Sequence, residues 1–441
     1  MHYWAVALLL VAAGAEAAQD APAASSDTDS IRFKIGAEVK AHYRWSEDDR
    51  LPLRFPFDAS HLPQGQAQVF QQAVAPGSSF EVSNLALELD ADFPHAITAH
   101  TRINFIDLHN RNPTSSDQTV NVKEAWIRFG AKYEALEAPP GSSFYALFGK
   151  APKFERQRAR KLESYGMVST AFNRFEDIQL QLGGTLGKHF YFRTQVSNGN
   201  PTFFRDPNAL AGDNGTPDRM PPAPDPRLGS GFLIFYHAEA EEFEIDDRPE
   251  WGGGLGVSFL SEDLRRGLDV MGFYYHTRLS PAARLRGTFY EGDLDLLDGT
   301  GGISLPISGD RRTEYGANLD AQVGGLGVFV QIVREEAAAL PRTGFEVEAG
   351  YRVVRGDPAD PNALFTGIEP IVRYSRIDND FTAPSNFVAP SVMWDWAKLD
   401  LGVRLTIRKG LDLTAEYAFH DITAARTIKH DEFLTTLRLR F

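Results

Sequence analysis

Residues 31–45 read IRFKIGAEVKAHYRW. Ile31, Phe33, Ile35, Ala37, Val39, Ala41, Tyr43 and Trp45 share one parity, and Arg32, Lys34, Gly36, Glu38, Lys40, His42 and Arg44 share the other. Successive side chains of a strand point to opposite faces, so a strand here has one apolar face and one charged, mostly basic face. Two settings accept such a segment. Either the apolar face meets a protein core and the charges meet water, or the apolar face meets lipid and the charges line a water-filled lumen. The rest of the chain has to decide between them.

The 441 residues are 43% hydrophobic and 24% charged, with a mean hydropathy of -0.29. These are ordinary soluble values, but a transmembrane barrel dilutes its apolar residues by alternation and gives the same average. Beyond the N-terminus there is no apolar run of about 18 residues, which excludes a helical membrane protein and leaves a barrel open. At the N-terminus, the apolar run from Tyr3 to Ala13 precedes Ala15-Glu16-Ala17. This predicts a signal peptide over 1–17, cleaved after Ala17 or Ala18, followed by a polar linker over 18–30. There is no cysteine, so an exported chain of this size must be held by hydrogen bonds and packing, as a closed barrel is. A net charge of -14 argues against a nucleic-acid partner.

Alternation returns throughout. Leu85, Leu87, Leu89, Ala91 and Phe93 oppose Asn84, Glu88, Asp90 and Asp92; after a Pro94-His95 turn, Ile97, Ala99, Thr101, Ile103 and Phe105 oppose His100, Arg102 and Asn104. Similar two-faced segments cover 124–129, 178–182, 190–196, 315–323, 326–332, 345–353, 368–374, 399–407, 411–419 and 433–441. Short joins at Pro94-His95, 186–188, Gly324-Gly325 and Lys409-Gly410 interleave with long polar ones at 46–79, 151–176, 199–250, 280–312 and 378–396. Short periplasmic turns and long external loops are the mark of an outer-membrane barrel rather than a sandwich. The expected fold is therefore an all-β, antiparallel, up-and-down transmembrane barrel over 31–441. An even count near sixteen strands is expected; adding FLIFYHAEA (232–240) and ARLRGTFYE (283–291) would make about eighteen.

In such a barrel, the charged parity faces the lumen. It carries Arg32, Lys34, Lys40, Arg44, Arg102, Arg128, Arg193, Arg373, Arg404 and Arg438, together with acids that include Glu38, Glu88, Glu124, Glu346, Glu348, Glu369, Asp400 and Glu416. A soluble core could not hold so many ions, because even paired buried charges cost several kcal/mol each. Closure places the last strand beside the first, so Arg438 extends a basic wall begun on residues 31–45. The segment GKAPKFERQRARKLESYG, starting at Gly149, adds Lys150, Lys153, Arg156 and Arg158. Folded into the lumen, it would form a constriction that attracts anions; with these cations paired to lumen acids, it would confer no selectivity.

Six segments carry a family resemblance: VKEAWIRF (122–129), FGKAPKF (148–154), VSNGN (196–200), TEYGANLDAQVGGLGVFVQIV (313–333), GIEPIVRYSRID (367–378) and FLTTLRLRF (433–441). In their order, the chain resembles Gram-negative outer-membrane porins of the phosphate-selective O/P type. The resemblance implies sixteen strands, a homotrimer, an inward-folded third loop at about 151–176, and passive, anion-preferring diffusion of small hydrophilic solutes, with phosphate or polyphosphate as candidates. It also implies that Phe441 is the terminal aromatic read by the barrel-assembly machinery. No particular residue inherits phosphate specificity, and Glu155 stands where the family commonly has glycine. A general porin without phosphate selectivity is the alternative.

Two further classes were weighed. A barrel enzyme would use histidines such as His276, His420 and His430 near strand ends, but no motif spacing joins them. An adhesin would display a motif such as Arg355-Gly356-Asp357, but here the tripeptide reads more simply as a turn. Asp293, Asp295 and Asp298 suit a solvated loop better than a calcium site. No enzyme activity, metal or cofactor is expected.

Overall fold

The computed structural model describes residues 30–47, 51–53, 69–71, 77–107, 120–131, 136, 143–157, 160–164, 166–172, 176–199, 249–263, 265–278, 284–285, 292–293, 309–337, 339–355, 363–381, 395–423, 427–429 and 431–441. The signal peptide, most of the linker, residues 232–240, Arg158, His430, Gly356-Asp357, Asp295 and Asp298 lie outside them.

Sixteen long strands form one closed antiparallel barrel. The first eight are β1 (Arg32–Ser46), β2 (Gly77–Phe93), β3 (Ile97–Asp107), β4 (Asn121–Gly130), β5 (Ser143–Pro152), β6 (Glu176–Leu186), β7 (Phe190–Ser197) and β8 (Glu250–Leu260). The second eight are β9 (Arg266–Arg278), β10 (Arg311–Val323), β11 (Leu326–Ala337), β12 (Leu340–Tyr351), β13 (Gly367–Asn379), β14 (Asp395–Arg408), β15 (Leu411–Thr423) and β16 (Glu432–Arg440). Each pairs with its neighbours in sequence. Closure comes from β16 on β1, with Lys40 opposite Arg438 and Glu38 opposite Arg440. The seam continues into the last residue: the Phe441 N–H donates to the Ala37 carbonyl at 3.2 Å, and the Ala37 N–H returns a bond of 3.0 Å.

Burial is inverted relative to a soluble protein. Phe33, Ile35 and Leu255 are 73%, 71% and 74% exposed, whereas Glu38, Lys40, His42 and Arg44 are buried. A belt of exposed apolar side chains around a charged interior is stable only with lipid outside. Of the two settings open to residues 31–45, this is the second.

The count is sixteen rather than eighteen. Among the described residues of 283–291, Arg284–Leu285 forms a ribbon, paired with Gly292–Asp293 as a sheet separate from the barrel. The hairpin of β8 and β9 was not singled out by alternation, because Gly252, Gly253, Gly254 and Gly256 give β8 little apolar signal. Connection lengths also depart from the expected asymmetry. At the end with the short turns, 131–142 and 352–366 are long; at the other end, β11 and β12 are joined by residues 338–339 alone.

Candidate functional site

The chain leaves β5 at Pro152 and runs along the inside of the wall before returning to β6. This third loop meets successive strands in order. Lys153 pairs with Glu250 of β8 at 3.1 Å and lies 4.1 Å from the centre of the Tyr275 ring of β9. Tyr275 Oη donates to the Glu155 carboxylate, and Gln331 of β11 donates to the Glu155 carbonyl at 3.1 Å. Gln157 donates to Glu348 of β12 at 2.9 Å, and Lys161 Nζ to Glu369 of β13 at 2.8 Å.

Wall carboxylates also satisfy the loop's main chain, which has no ladder of its own. Glu348 accepts the Lys161 N–H at 2.8 Å; Glu416 of β15 accepts those of Glu163 and Ser164 at 3.2 and 3.0 Å. Arg373 of β13 donates to the Ser164 carbonyl at 2.9 Å and to Asp400 at 2.9 Å. A one-turn helix, α1 (Met167–Ala171), then leads back, with the Val168 N–H on Glu346 at 3.2 Å. Its Met167, Val168 and Ala171, followed by Phe172, pack in one core with Phe273, Val333, Ile377, Trp396 and Ile422 of the wall.

The loop is seated by notches as well as bonds. A Cβ at Gly402 would lie 2.4 Å from Leu162, one at Gly344 2.5 Å from Phe172, and one at Gly254 2.8 Å from Phe154. Only glycine at these inward positions leaves room. Glu163, at the tip, accepts from Arg438 at 2.6 Å and pairs with Lys40 at 3.0 Å, with Arg404 at 3.9 Å. Burial alone would raise the pKa of Glu163; the three cations outweigh it and hold the carboxyl far below the ordinary range. Glu155 shows the opposite balance, its carboxyl pushed up by burial despite Lys153 and Tyr275.

Beside the loop a cavity of about 600 Å³ remains, bounded mainly by β1 to β7. Eleven Lys or Arg and six Asp or Glu line it, an excess of five positive charges in a chain whose net charge is -14. Lys40, Arg102, Arg128, Lys153, Arg156, Arg193, Arg404 and Arg438 are among them. Arg102 is 3.1 Å from Glu38 and also contacts Glu88, and Arg156 contacts Glu176.

The remaining sequence-predicted cations are elsewhere. Arg32 and Lys34 are exposed at the short-turn end, with Lys34 on Asp92 at 3.0 Å. Arg44 is buried near the loop end, apart from the cavity lining. Two positions are corrected. Lys150 has the outward parity of Phe148, opposite the exposed Ile178, and donates to the Val122 carbonyl at 2.8 Å. Arg373 is fully buried beneath the loop, where it is an anchor and not a channel wall. Conversely, Lys123 lines the cavity although parity would place it outside: a bulge between Arg102 and Ile103 lets both Lys123 and Glu124 point inward. Of the three histidines singled out for an enzyme, two are described: His420 is buried against Trp396 and Glu432, and His276 shares the outward parity of Tyr274.

No protein-family model matches the chain, and no curated protein sequence does. Solved structures do match. The outer membrane channel DcaP of Acinetobacter baumannii superposes with a TM-score of 0.52 at 10% identity, covering 95% of this chain and 99% of the other. Pseudomonas putida OprB gives 0.53 at 9% identity over 93% and 94%. OmpT, an outer membrane protein of Vibrio cholerae in its trimer form, gives 0.50 at 11% over 94% and 100%. The chain has the fold of these outer-membrane barrels. Its near-complete coverage of each means that the whole wall, and not a shared hairpin, is what corresponds.

Proposed function

We propose that the chain is an outer-membrane porin of a Gram-negative bacterium, exported with loss of residues 1–17, through which small hydrophilic solutes diffuse passively with a preference for anions. The observation that carries this reading is the cavity beside the third loop, with eleven cationic against six carboxylate side chains. Low-dielectric walls focus such a field and raise the local concentration of counter-ions. The fold shared with the DcaP channel supports a pore, and the trimeric form of OmpT supports a homotrimer for this chain. The terminal Phe441, paired into the closing seam, suits recognition by barrel-assembly machinery.

Phosphate falls within the solute class, and the O/P-type resemblance makes it the first anion to try. The test is the reversal potential of the purified protein in planar bilayers under a salt gradient, with phosphate as competitor. A reversal toward the chloride potential is expected. A cation-selective reversal would overturn the anion preference, and a closed bilayer would overturn the porin. Phosphate that fails to compete with chloride leaves a general anion channel.

A further inference from the structure

Inward apolar side chains are out of place on a hydrated lumen, and two of the groups among the described residues flank the loop and the cavity. The larger group, including Phe273, Val333, Ile377, Trp396 and Ile422, is covered by Met167, Val168 and Phe172 of the third loop. The smaller group is Tyr145, Leu147 and Ala151 of β5 with Trp126 of β4 packed against them. Trp126, Leu147 and Ala151 line the cavity. Within this strip Tyr145, Leu147 and Ala151 are buried, and the half-buried Trp126 is the side chain that presents apolar surface to the cavity.

The charges beside the strip differ from those elsewhere. Arg102, Arg156 and Arg438 each contact a carboxylate. Arg128, two residues from Trp126, lies 5.7 Å from the centre of the indole, and its hydrogen-bond partner among the described residues is the Thr98 hydroxyl at 3.3 Å. Asp92 is its carboxylate neighbour, without a contact ion pair among the described residues, so the terminal nitrogens of Arg128 keep donors for an incoming anion. His100 stacks on the indole at 5.0 Å, and Glu124 accepts from Trp126 Nε1 at 3.4 Å, so the ring is fixed in place. An apolar surface beside a cation with free donors is complementary to one kind of solute.

We propose that Trp126 and Arg128 form a channel subsite for organic anions in which a carboxylate is carried on a flat apolar body. The carboxylate meets Arg128, and the ring lies along Trp126. The subsite rests on the anion-channel reading and adds a solute class to it: 600 Å³ exceeds what a bare inorganic anion needs.

The experiment compares benzoate with acetate, of equal charge, as blockers of chloride current through the full-length protein in planar bilayers. An aromatic contact of ordinary strength predicts block by benzoate at about tenfold lower concentration than acetate. In Trp126→Ala the ratio is expected to fall toward one, while Trp126→Phe keeps most of it. Arg128→Gln is expected to weaken both blockers alike. Equal block by the two acids in the unaltered protein, or an unchanged ratio in Trp126→Ala, would overturn the subsite; if the reversal potential were still anion-selective, the porin reading would stand. A cation-selective reversal would remove that reading itself. Should Trp126→Ala not assemble, the unaltered protein and Trp126→Phe still decide.

Discussion

Between β8 and β15, the inward carboxylates Glu250, Glu346, Glu348 and Glu416 are occupied by the third loop. Between β1 and β7, the inward side chains Arg102 and Arg128 line the cavity instead. Both arcs show the same alternation and the same abundance of charge. They differ in what lies over them: one arc has exchanged water for a loop whose N–H groups and cations satisfy its acids, and the other has kept its water. A charge on the inner wall can thus be an anchor or a lining, and the two uses predict different responses to substitution.

The largest effect is expected at Glu163, where the covered arc meets the open one. Glu163→Ala leaves Lys40, Arg404 and Arg438 without their shared partner. Removing one member of a buried ion cluster costs about 3–5 kcal/mol, so thermal stability in detergent should drop sharply. The freed tip should also raise single-channel conductance. Unchanged conductance would mean that the tip does not border the path. Next come the notches. A side chain at Gly402 must displace Leu162, and overpacking of this kind costs about 1–3 kcal/mol. Gly402→Val should widen or destabilise the pore, whereas Gly253→Ala, whose Cβ has only the Arg193 carbonyl within reach at 3.9 Å, should do neither. Equal behaviour of the two would remove the argument from shape.

Selectivity offers a finer division. Neutralising Arg102 and Arg128 together should move the reversal potential toward zero with modest loss of stability, because both line the cavity. Arg373→Gln should do the reverse. That side chain is fully buried on Asp400, Glu348 and Ser164, so its loss unseats the loop without subtracting a charge from the lumen wall. If Arg373→Gln shifted selectivity while Arg102 and Arg128 did not, the assignment of the two arcs would be inverted.

The barrel was legible in residues 31–45 and their repeats because a period of two survives in any solvent. Facing was legible for Lys40, Arg102 and Arg438 for the same reason. Lys123 was hidden by a bulge, which adds one residue to a strand and breaks parity without a sequence marker. Lys150 sits at the start of a basic segment that resembles loop, but it belongs to β5 and its strand parity turns it outward. The anchoring role of Arg373 was unreadable, since parity reports direction but not what stands in front of a side chain. Inward glycines opposite Leu162, Phe172 and Phe154 were a usable signal for the loop's path. Each needs a neighbour that only the folded loop supplies, so sequence alone does not tell them from glycines that weaken a strand.

Acidity provides the gentlest test of the covered arc. Lys40, Arg438 and Arg404 overcome the cost of burying Glu163 and depress its pKa below the unfolded value. A group of that kind contributes its full stabilisation above the ordinary carboxylate range, loses it progressively as the pH falls below that range, and itself takes up a proton in the folded state only at the depressed value. The tip of the loop should therefore remain seated as the bathing solutions are taken from neutrality into the ordinary carboxylate range, with no step in single-channel conductance there. Loosening belongs to still lower pH. An opening step near the ordinary carboxylate range would show that Glu163 titrates as a solvated acid. The three cations would then belong to the lumen, and the border between the two arcs would have to be drawn on the other side of the loop's tip.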